Sequence, residues 1–439
     1  MTSVTSHRRV RMLWPDHLGL ARGKYLPTRR AEHGSGFCVT TFGLTYDRDL
    51  VPAPGAYMLE GLRDVHGAVD NASLHPSWED DRTAVAVADL SLDGAPYAVS
   101  ARHALKRAVA AWQELGHTPK VGIELEGYLL EPDGAGGWQR YANPRSMVYG
   151  TGRLGDPSGF LDEVLETAER VGFTVESSSV EFDEAQFEFT LEYDDALAVT
   201  DDAFLFRVMV REVALARGLD FTFLGKPFPT VAGSGLHVNF SMADADGRNA
   251  FYDPAAEHGL AGVARSSVAG LVEHHRALIA LTAPTVNAYR RLQPGTLAGY
   301  WANWGVDHRN VSNRVPAESG QAMRVESRVG DGAMNLHLGV AAVLRAAWLG
   351  ATAKAEPPPA YTGDGFEDGG TDVTAPTSLT EALDALEADT VLTEAVGAEL
   401  VGNFVAVQRA EVEKFEASGS SIDGDTLSLF EKDFYLPYH

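Results

Sequence analysis

The sequence predicts an α+β protein in two unequal parts: a small strand-rich N-terminal domain and a larger domain mixing strands with long helices. Three observations carry this reading. Residues 1–99 hold short apolar stretches set between Gly/Pro-rich turns, the pattern of short strands. Beyond residue 100, apolar residues recur at helical spacing in several long segments. Strands and helices do not alternate in the repeating βαβ order that a parallel sheet requires.

In the first part, Val10–Trp14, Phe37–Thr41 and Ala84–Asp89 are the predicted strands. Residues 102–115 then form an amphipathic helix with Leu105, Val109, Trp112 and Leu115 on one side, which places a boundary between domains 1–99 and 100–439. A second helix runs from about Ser158 to Val171. Phe160, Leu161, Val164, Leu165, Ala168 and Val171 form its apolar stripe, and Gly172 stops it. Residues 354–378, rich in Pro, Gly and Asp, read as a long surface loop, and the stretch after it to about Glu416 is helical in pattern.

Composition narrows the function classes. The chain has 439 residues, 45% of them hydrophobic and 22% charged, enough to bury a large core without disulfides. Cys38 is the only cysteine, the N-terminal stretch Thr2 to Arg11 is polar and basic, and no apolar run reaches membrane-spanning length. These features point to the cytoplasm and to no membrane partner. A net charge of −25 argues against nucleic acid, whose binding rests on neutralising phosphates.

The informative feature is a set of strands with charges where a core would stand. Residues i and i+2 of a strand share a face. In 121–130, Glu124 and Glu126 oppose Ile123, Leu125 and Leu129. In 181–191, Glu184, Gln186 and Glu188 oppose Phe187, Phe189 and Leu191. In 233–241, His237, Asn239 and Ser241 oppose Leu236, Val238 and Phe240. In 323–330, Arg324, Glu326 and Arg328 alternate with Val325, Ser327 and Val329. A solvated antiparallel face explains any one such strand. Together they carry Glu, His and Arg with no Lys, and packed carboxylates repel unless a cation sits among them. Oxygen ligands with at most one imidazole suit Mg²⁺ or Mn²⁺ better than Zn²⁺. Arginines beside metals suit phosphoryl transfer. Tyr289-Arg290-Arg291-Leu292 and His308 to Pro316 add further arginines, and no GxxxxGK[ST] loop is present.

These motifs, with LWPDHLGLARGK at 13–24, DRTAVAVADL at 81–90 and the terminal FEKDFYLPYH, resemble in order those of the glutamine synthetase superfamily, class I bacterial type, nearly end to end. The resemblance implies a β-grasp N-terminal domain and a catalytic domain on a curved antiparallel sheet. It implies ATP as co-substrate, glutamate as the acid and two to three Mg²⁺ or Mn²⁺ ions per site. One ion falls to Glu126, Glu181 and Glu188, the other to Glu124, His237 and Glu326. Arg291, Arg328 and the Gly233 turn would hold the acid, Arg309 would face the transferring phosphate, and Arg314, Arg324, Ser241 and Asn239 would lie along the nucleotide. The implied assembly is a homo-oligomer, a dodecamer of two hexameric rings with sites shared between neighbours.

The departures bear on the amine. The family's N-G-S-G turn reads Ala232-Gly233-Ser234-Gly235, and its P-G-Y-E flap reads Pro294-Gly295-Thr296-Leu297, so the flap carboxylate is lost. No Asp stands in the 36–40 segment, and the second histidine of H-x-H is Asn239. A larger amine resting on Leu297, Trp301 or Trp304 fits these changes better than ammonium, and they resemble the branch making γ-glutamyl amides of polyamines, ethanolamine or alkylamines. The competing readings are an ammonium-using synthetase, a non-catalytic ligand sensor on the same fold, and a dinucleotide enzyme built on the G-x-G-x-x-G of Gly150–Gly155.

Overall fold

The computed structural model describes residues 7–439, so the first residues of the polar N-terminal stretch, 1–6, lie outside the described residues. Among the described residues the strands form two sheets. The first holds β1 (Arg9–Pro15), β2 (Ala21–Pro27), β3 (Ser35–Cys38), β4 (Asp64–Val69), β5 (His75–Pro76), β6 (Thr83–Leu92) and β7 (Ala95–Pro96). Its order is β2-β1-β6-β4-β3, with β5 and β7 also on β6, and β1 runs parallel to β6. The second holds β8 (Thr118–Pro132), β9 (Trp138–Arg140), β10 (Val175–Val180), β11 (Gln186–Asp195), β12 (Asp220–Thr222), β13 (Leu236–Ala243), β14 (Trp304–Val306), β15 (Asn313–Val315) and β16 (Val325–Ser327). Its order is β10-β11-β8-β13-β16-β15-β14, with β9 and β12 on β8. It is antiparallel from β10 to β15, and the edge pair β14–β15 is parallel, so the sheet is mixed rather than wholly antiparallel.

The apolar face of the second sheet builds the core. Phe187, Phe189 and Leu191 on β11 are buried, as are Ile123 and Leu125 on β8. Phe189 meets Phe206 of the helix Ala196–Ala216 edge-on at 5.4 Å between ring centroids, and Phe187 meets Phe160 of the helix Phe160–Val171 at 6.1 Å. Edge-to-face pairs suit the ring quadrupoles and lock the helices on the sheet. The opposite face is left for polar side chains.

Helix Ala101–Glu114 begins where Ser100 accepts a hydrogen bond from His103 N, an N-cap that fixes its start. Leu115, expected on its apolar side, is instead the C-cap residue and exposed. Helix Phe160–Val171 ends at Gly172 with φ 90°, a left-handed cap that a side chain would resist. Two predicted strands are shorter than their alternation suggested. The 181–191 strand begins only at Gln186, because Ala185 (φ 56°) turns the chain. The 323–330 strand is reduced to Val325–Ser327. Residues 354–378 are irregular but tied down: Pro358 O accepts from Trp304 Nε1 at 2.7 Å, and Gly369 O from Asn303 Nδ2 at 2.9 Å. The Gly150–Gly155 run follows no strand and forms a turn and a short helix, Gly152–Gly155, so the dinucleotide fingerprint lacks its strand. One helix, Leu336–Ala353, is long and apolar enough to cross a membrane by composition. It includes Arg345, and 67% of it is buried in the protein, as a core helix should be.

The first sheet is fastened to the rest by Arg102, whose side chain is 1% exposed. Its Nε and Nη2 donate to the two oxygens of Asp201 at 2.8 and 2.6 Å, and Nη2 also donates to Asp70 at 2.7 Å; Nη1 reaches Asp89. His337 Nε2 meets Asp201 at 2.8 Å. Strands β4–β6 and two helices thus share one buried guanidinium. Arg102→Met removes the partner of a buried carboxylate, which costs about 3–5 kcal/mol. The urea midpoint is expected to fall accordingly, and an unchanged midpoint would contradict this role.

Candidate active site

The register of the second sheet places the polar side chains. Glu126 on β8 stands opposite Glu188 on β11, and Glu124 opposite His237 on β13. Asn239 on β13 stands opposite Glu326 on β16, and Glu326 opposite Arg314 on β15. Like charges directly across a ladder are unfavourable, so this face is built against its own stability.

His237 sits at the middle. Its Nδ1 is 3.0 Å from Glu124 and 3.5 Å from Glu326, and its Nε2 is 3.9 Å from Glu126. Two donor groups result, Glu124–His237–Glu326 and Glu126–Glu188–His237, each with its ligand atoms within 4.8 Å of one another. The imidazole therefore lies between both groups rather than in one. Glu181, in the turn before β11, is held by its N–H donating to Gln186 O at 2.9 Å. Burial raises the Glu181 carboxyl to about 7, with the charge of Glu126 adding to it. Burial likewise raises Glu188 to about 8, and Glu124, Glu181, Glu126 and Glu326 push it further. Glu124 is also buried, but the hydrogen bond and charge of His237, the amide of Asn239 and Arg328 hold it down at about 2. Carboxylates that resist ionising one another, grouped with one imidazole, fit a divalent cation.

Glycines seat the neighbouring arginine. A side chain on Gly233 would stand 2.9 Å from Arg291 Cγ, and one on Gly235 would stand 2.8 Å from His237 Nε2 and 2.9 Å from Arg291 Nη2. Gly235 N–H donates to Glu126 at 2.7 Å and Gln186 Nε2 to Gly233 O at 3.0 Å, which ties the turn to both strands. Arg291 is 5% exposed and donates only to the carbonyls of Val329 and Arg328, at 3.2 Å each. Among the described residues it has no carboxylate partner. Arg290 beside it is anchored to Glu431, near the end of the chain, through two contacts of 2.9 Å.

Arg314 and Arg328 grip Glu326 from both sides, the first at 3.0 Å, and each keeps a buried Nε with no hydrogen-bond partner. Arg328 Nη2 also reaches Leu297 O at 3.5 Å. Arg324 Nε donates to Asn239 Oδ1 at 3.2 Å, and Asn239 Nδ2 to Glu124 at 2.9 Å. Asn239, Ser241, Arg324, Glu124, Thr190 and Tyr193 line a cleft of about 580 Å³ that leads from the carboxylates toward the β10–β11 edge. Arg314 is not in its lining. Arg309 is exposed in the turn after β14, and its charge is felt at Glu181. Leu297 is 49% exposed, Trp301 is partly buried, and Trp304 is 3% exposed with its N–H committed to Pro358.

Glu184, which alternation puts on the polar face with Gln186 and Glu188, leaves that face and pairs with Arg140 of β9 at 3.2 Å, because Ala185 turns the chain. Other residues escaped the alternation argument. Asp183 accepts from Ala232 N at 2.6 Å, bracing the glycine turn. Asp307 holds Arg314 at 2.7 Å. Asp64 on β4 stands opposite Cys38, so a carboxylate flanks the 36–40 segment from the next strand. Only the fold brings it there.

Comparison with known proteins follows the same lines. The glutamine synthetase catalytic domain profile matches residues 98–426. A glutamine synthetase of Halobacterium salinarum is 33% identical over 350 residues, 78% of this chain and 75% of that one. The γ-glutamylethanolamide synthetase GlnA4 of Streptomyces coelicolor is 32% identical over 429 residues, 93% of this chain and 90% of that one. The structure of a GmaS/ADP complex superposes with a TM-score of 0.84 at 28% identity, covering 100% of both chains.

The raised carboxyls make a pH test. Glu181 and Glu188 titrate above their usual 4.5, so between that value and about 8 these two groups hold more protons in the folded protein than in the unfolded one. Their contribution to the stability of the metal-free protein must then fall as pH rises through that window. Thermal melts in chelator are expected to drop by several degrees from pH 5.5 to 8. Glu188→Gln should flatten the drop, and Mn²⁺ should raise the melting temperature more at pH 8 than at pH 5.5. An equal pH dependence in wild type and Glu188→Gln would refute the clustered-carboxylate account.

Proposed function

The chain belongs to the glutamine synthetase family of carbon–nitrogen bond-forming ligases, and we propose that it joins the γ-carboxylate of glutamate to an organic amine at the expense of ATP. The observation that carries this reading is the flap. Where the family's pattern has a carboxylate, Leu297 offers a half-exposed apolar side chain while its carbonyl is held by Arg328.

The roles divide by position. Arg291, buried without a counter-ion, receives the α-carboxylate of the acid, and Arg328 flanks it. The γ-carboxylate attacks the terminal phosphorus of ATP, ADP leaves, and an acyl phosphate remains. Divalent ions bound by the two donor groups around His237 would neutralise the phosphate oxygens. Arg309, exposed at the mouth, closes on the transferring group, while Ser241, Asn239 and Arg324 hold the nucleotide in the adjoining cleft, with Arg314 behind them. The amine nitrogen then attacks the acyl carbon, phosphate departs, and the nitrogen loses a proton. An alkyl portion resting on Leu297 and Trp301 gains ~0.8 kcal/mol per buried methylene. The name of the S. coelicolor relative, a γ-glutamylethanolamide synthetase, supports an organic amine.

The ammonium-using reading has Asp64 in its favour, since a neighbouring copy could present that carboxylate. A phosphate-release assay with ATP, Mg²⁺ and glutamate against a panel of amines decides between them. At least one organic amine is expected to exceed ammonium in kcat/KM by about tenfold, about 1.4 kcal/mol of transition-state binding. Leu297→Glu should shift preference toward ammonium. Ammonium as the best substrate would defeat the amine assignment. Glu126→Ala and Glu188→Ala are each expected to abolish turnover while leaving the fold intact, and near-normal turnover in either would overturn the assigned donor groups.

A further inference from the structure

We propose that the cleft between the β1–β2 hairpin, helix Ala196–Ala216 and residues 437–439 binds a small dianion, such as phosphate or a short dicarboxylate, at a site separate from the carboxylate-bearing face. The cleft measures about 380 Å³, within the ordinary range of small-ligand sites. Arg207 and Arg211 lie one helical turn apart and both line it. Arg207 is 8% exposed, and its hydrogen-bond partners are carbonyls alone: Gly332 O at 2.8 Å, Met334 O at 2.9 Å and Gly19 O at 2.7 Å. Among the described residues no carboxylate reaches it within ion-pair distance. Arg211 donates to Pro437 O at 2.9 Å, stands 3.6 Å from Asp220, and keeps a buried Nε with no partner.

The other charges at this cleft are spent. Arg22 is paired with Asp16 at 2.7 Å. Both oxygens of Glu212 are committed to Arg11, at 2.7 and 2.9 Å, and one also takes the indole N–H of Trp78. What remains is a guanidinium pair at i and i+4, which repel each other, with only Asp220 at 3.6 Å from Arg211 to offset two positive charges in a recess where an uncompensated charge is costly. A ligand with two negative charges would supply the counter-charge that Arg207 lacks and reinforce that of Arg211. Arg207 meanwhile holds the Gly332 and Met334 carbonyls, so the site abuts the backbone that follows Arg328 without sharing its side chains.

Titration calorimetry of the protein in chelator tests this, with inorganic phosphate in one arm and malonate in the other; the tighter arm identifies which anion class is bound. Arg309→Gln removes phosphate held at the carboxylate face, and the Arg211-dependent binding is expected to persist in it. Arg211→Gln is expected to bind about tenfold more weakly or worse. Leu215→Glu places a negative charge at the mouth on an exposed position, and is expected to show the same loss should Arg211→Gln fail to fold. Folded variants that bind like wild type, loss of binding with Arg309→Gln instead, or no binding of either anion at millimolar concentration would overturn the proposal.

Discussion

Carboxylates facing one another across hydrogen-bonded strands cannot all ionise without a cation, and this constraint organises the larger domain. The register that sets Glu126 against Glu188 and Glu124 against His237 is fixed from the other side of the sheet. There the alternate residues Ile123, Leu125, Phe187 and Phe189 are fully buried. A slip by one residue would bury the glutamates and expose the phenylalanines. The hydrophobic core therefore supplies the free energy that holds an electrostatically unfavourable face together.

Around that face, backbone shape matters as much as side-chain charge. The Gly233–Gly235 turn lets Arg291 and the His237 imidazole come closer than any Cβ would permit. Asp183, Gln186 and Glu126 each spend a hydrogen bond on this turn. The positive side of the site is thus braced where it faces the carboxylates, and exposed at Arg309 and Leu297.

Much of this was legible in the sequence because strand alternation is a local property. Glu124, Glu126, Glu188, His237 and Glu326 could be grouped from their spacing and from the absence of lysine. What alternation missed came from breaks in it. Ala185 in a left-handed conformation ends the run, so Glu184 turns away to Arg140. The β16 strand closes after Ser327, leaving Arg324 and Arg328 as flanking residues rather than members of a strand. Asp64 and Asp307 reach their places through tertiary pairing that no local pattern encodes. The 354–378 segment is the surface loop its composition predicts, but its anchors were not legible because they are backbone carbonyls, which any sequence possesses.

The anchoring of Arg290 by Glu431 has a consequence for biosynthesis. The two residues are 141 positions apart, and Glu431 is fully buried against Arg290 and Asn287. During translation, Arg290 and the adjacent Arg291 leave the ribosome long before their counterweight is made. A contact of such sequence separation forms late. The nascent chain can assemble its carboxylate strands β8, β11 and β13 early, yet the arginines beside them stay unbraced until the helix Leu429–Phe434 docks. Order of synthesis thus delays the bracing of Arg290 and Arg291 until Glu431 has been made.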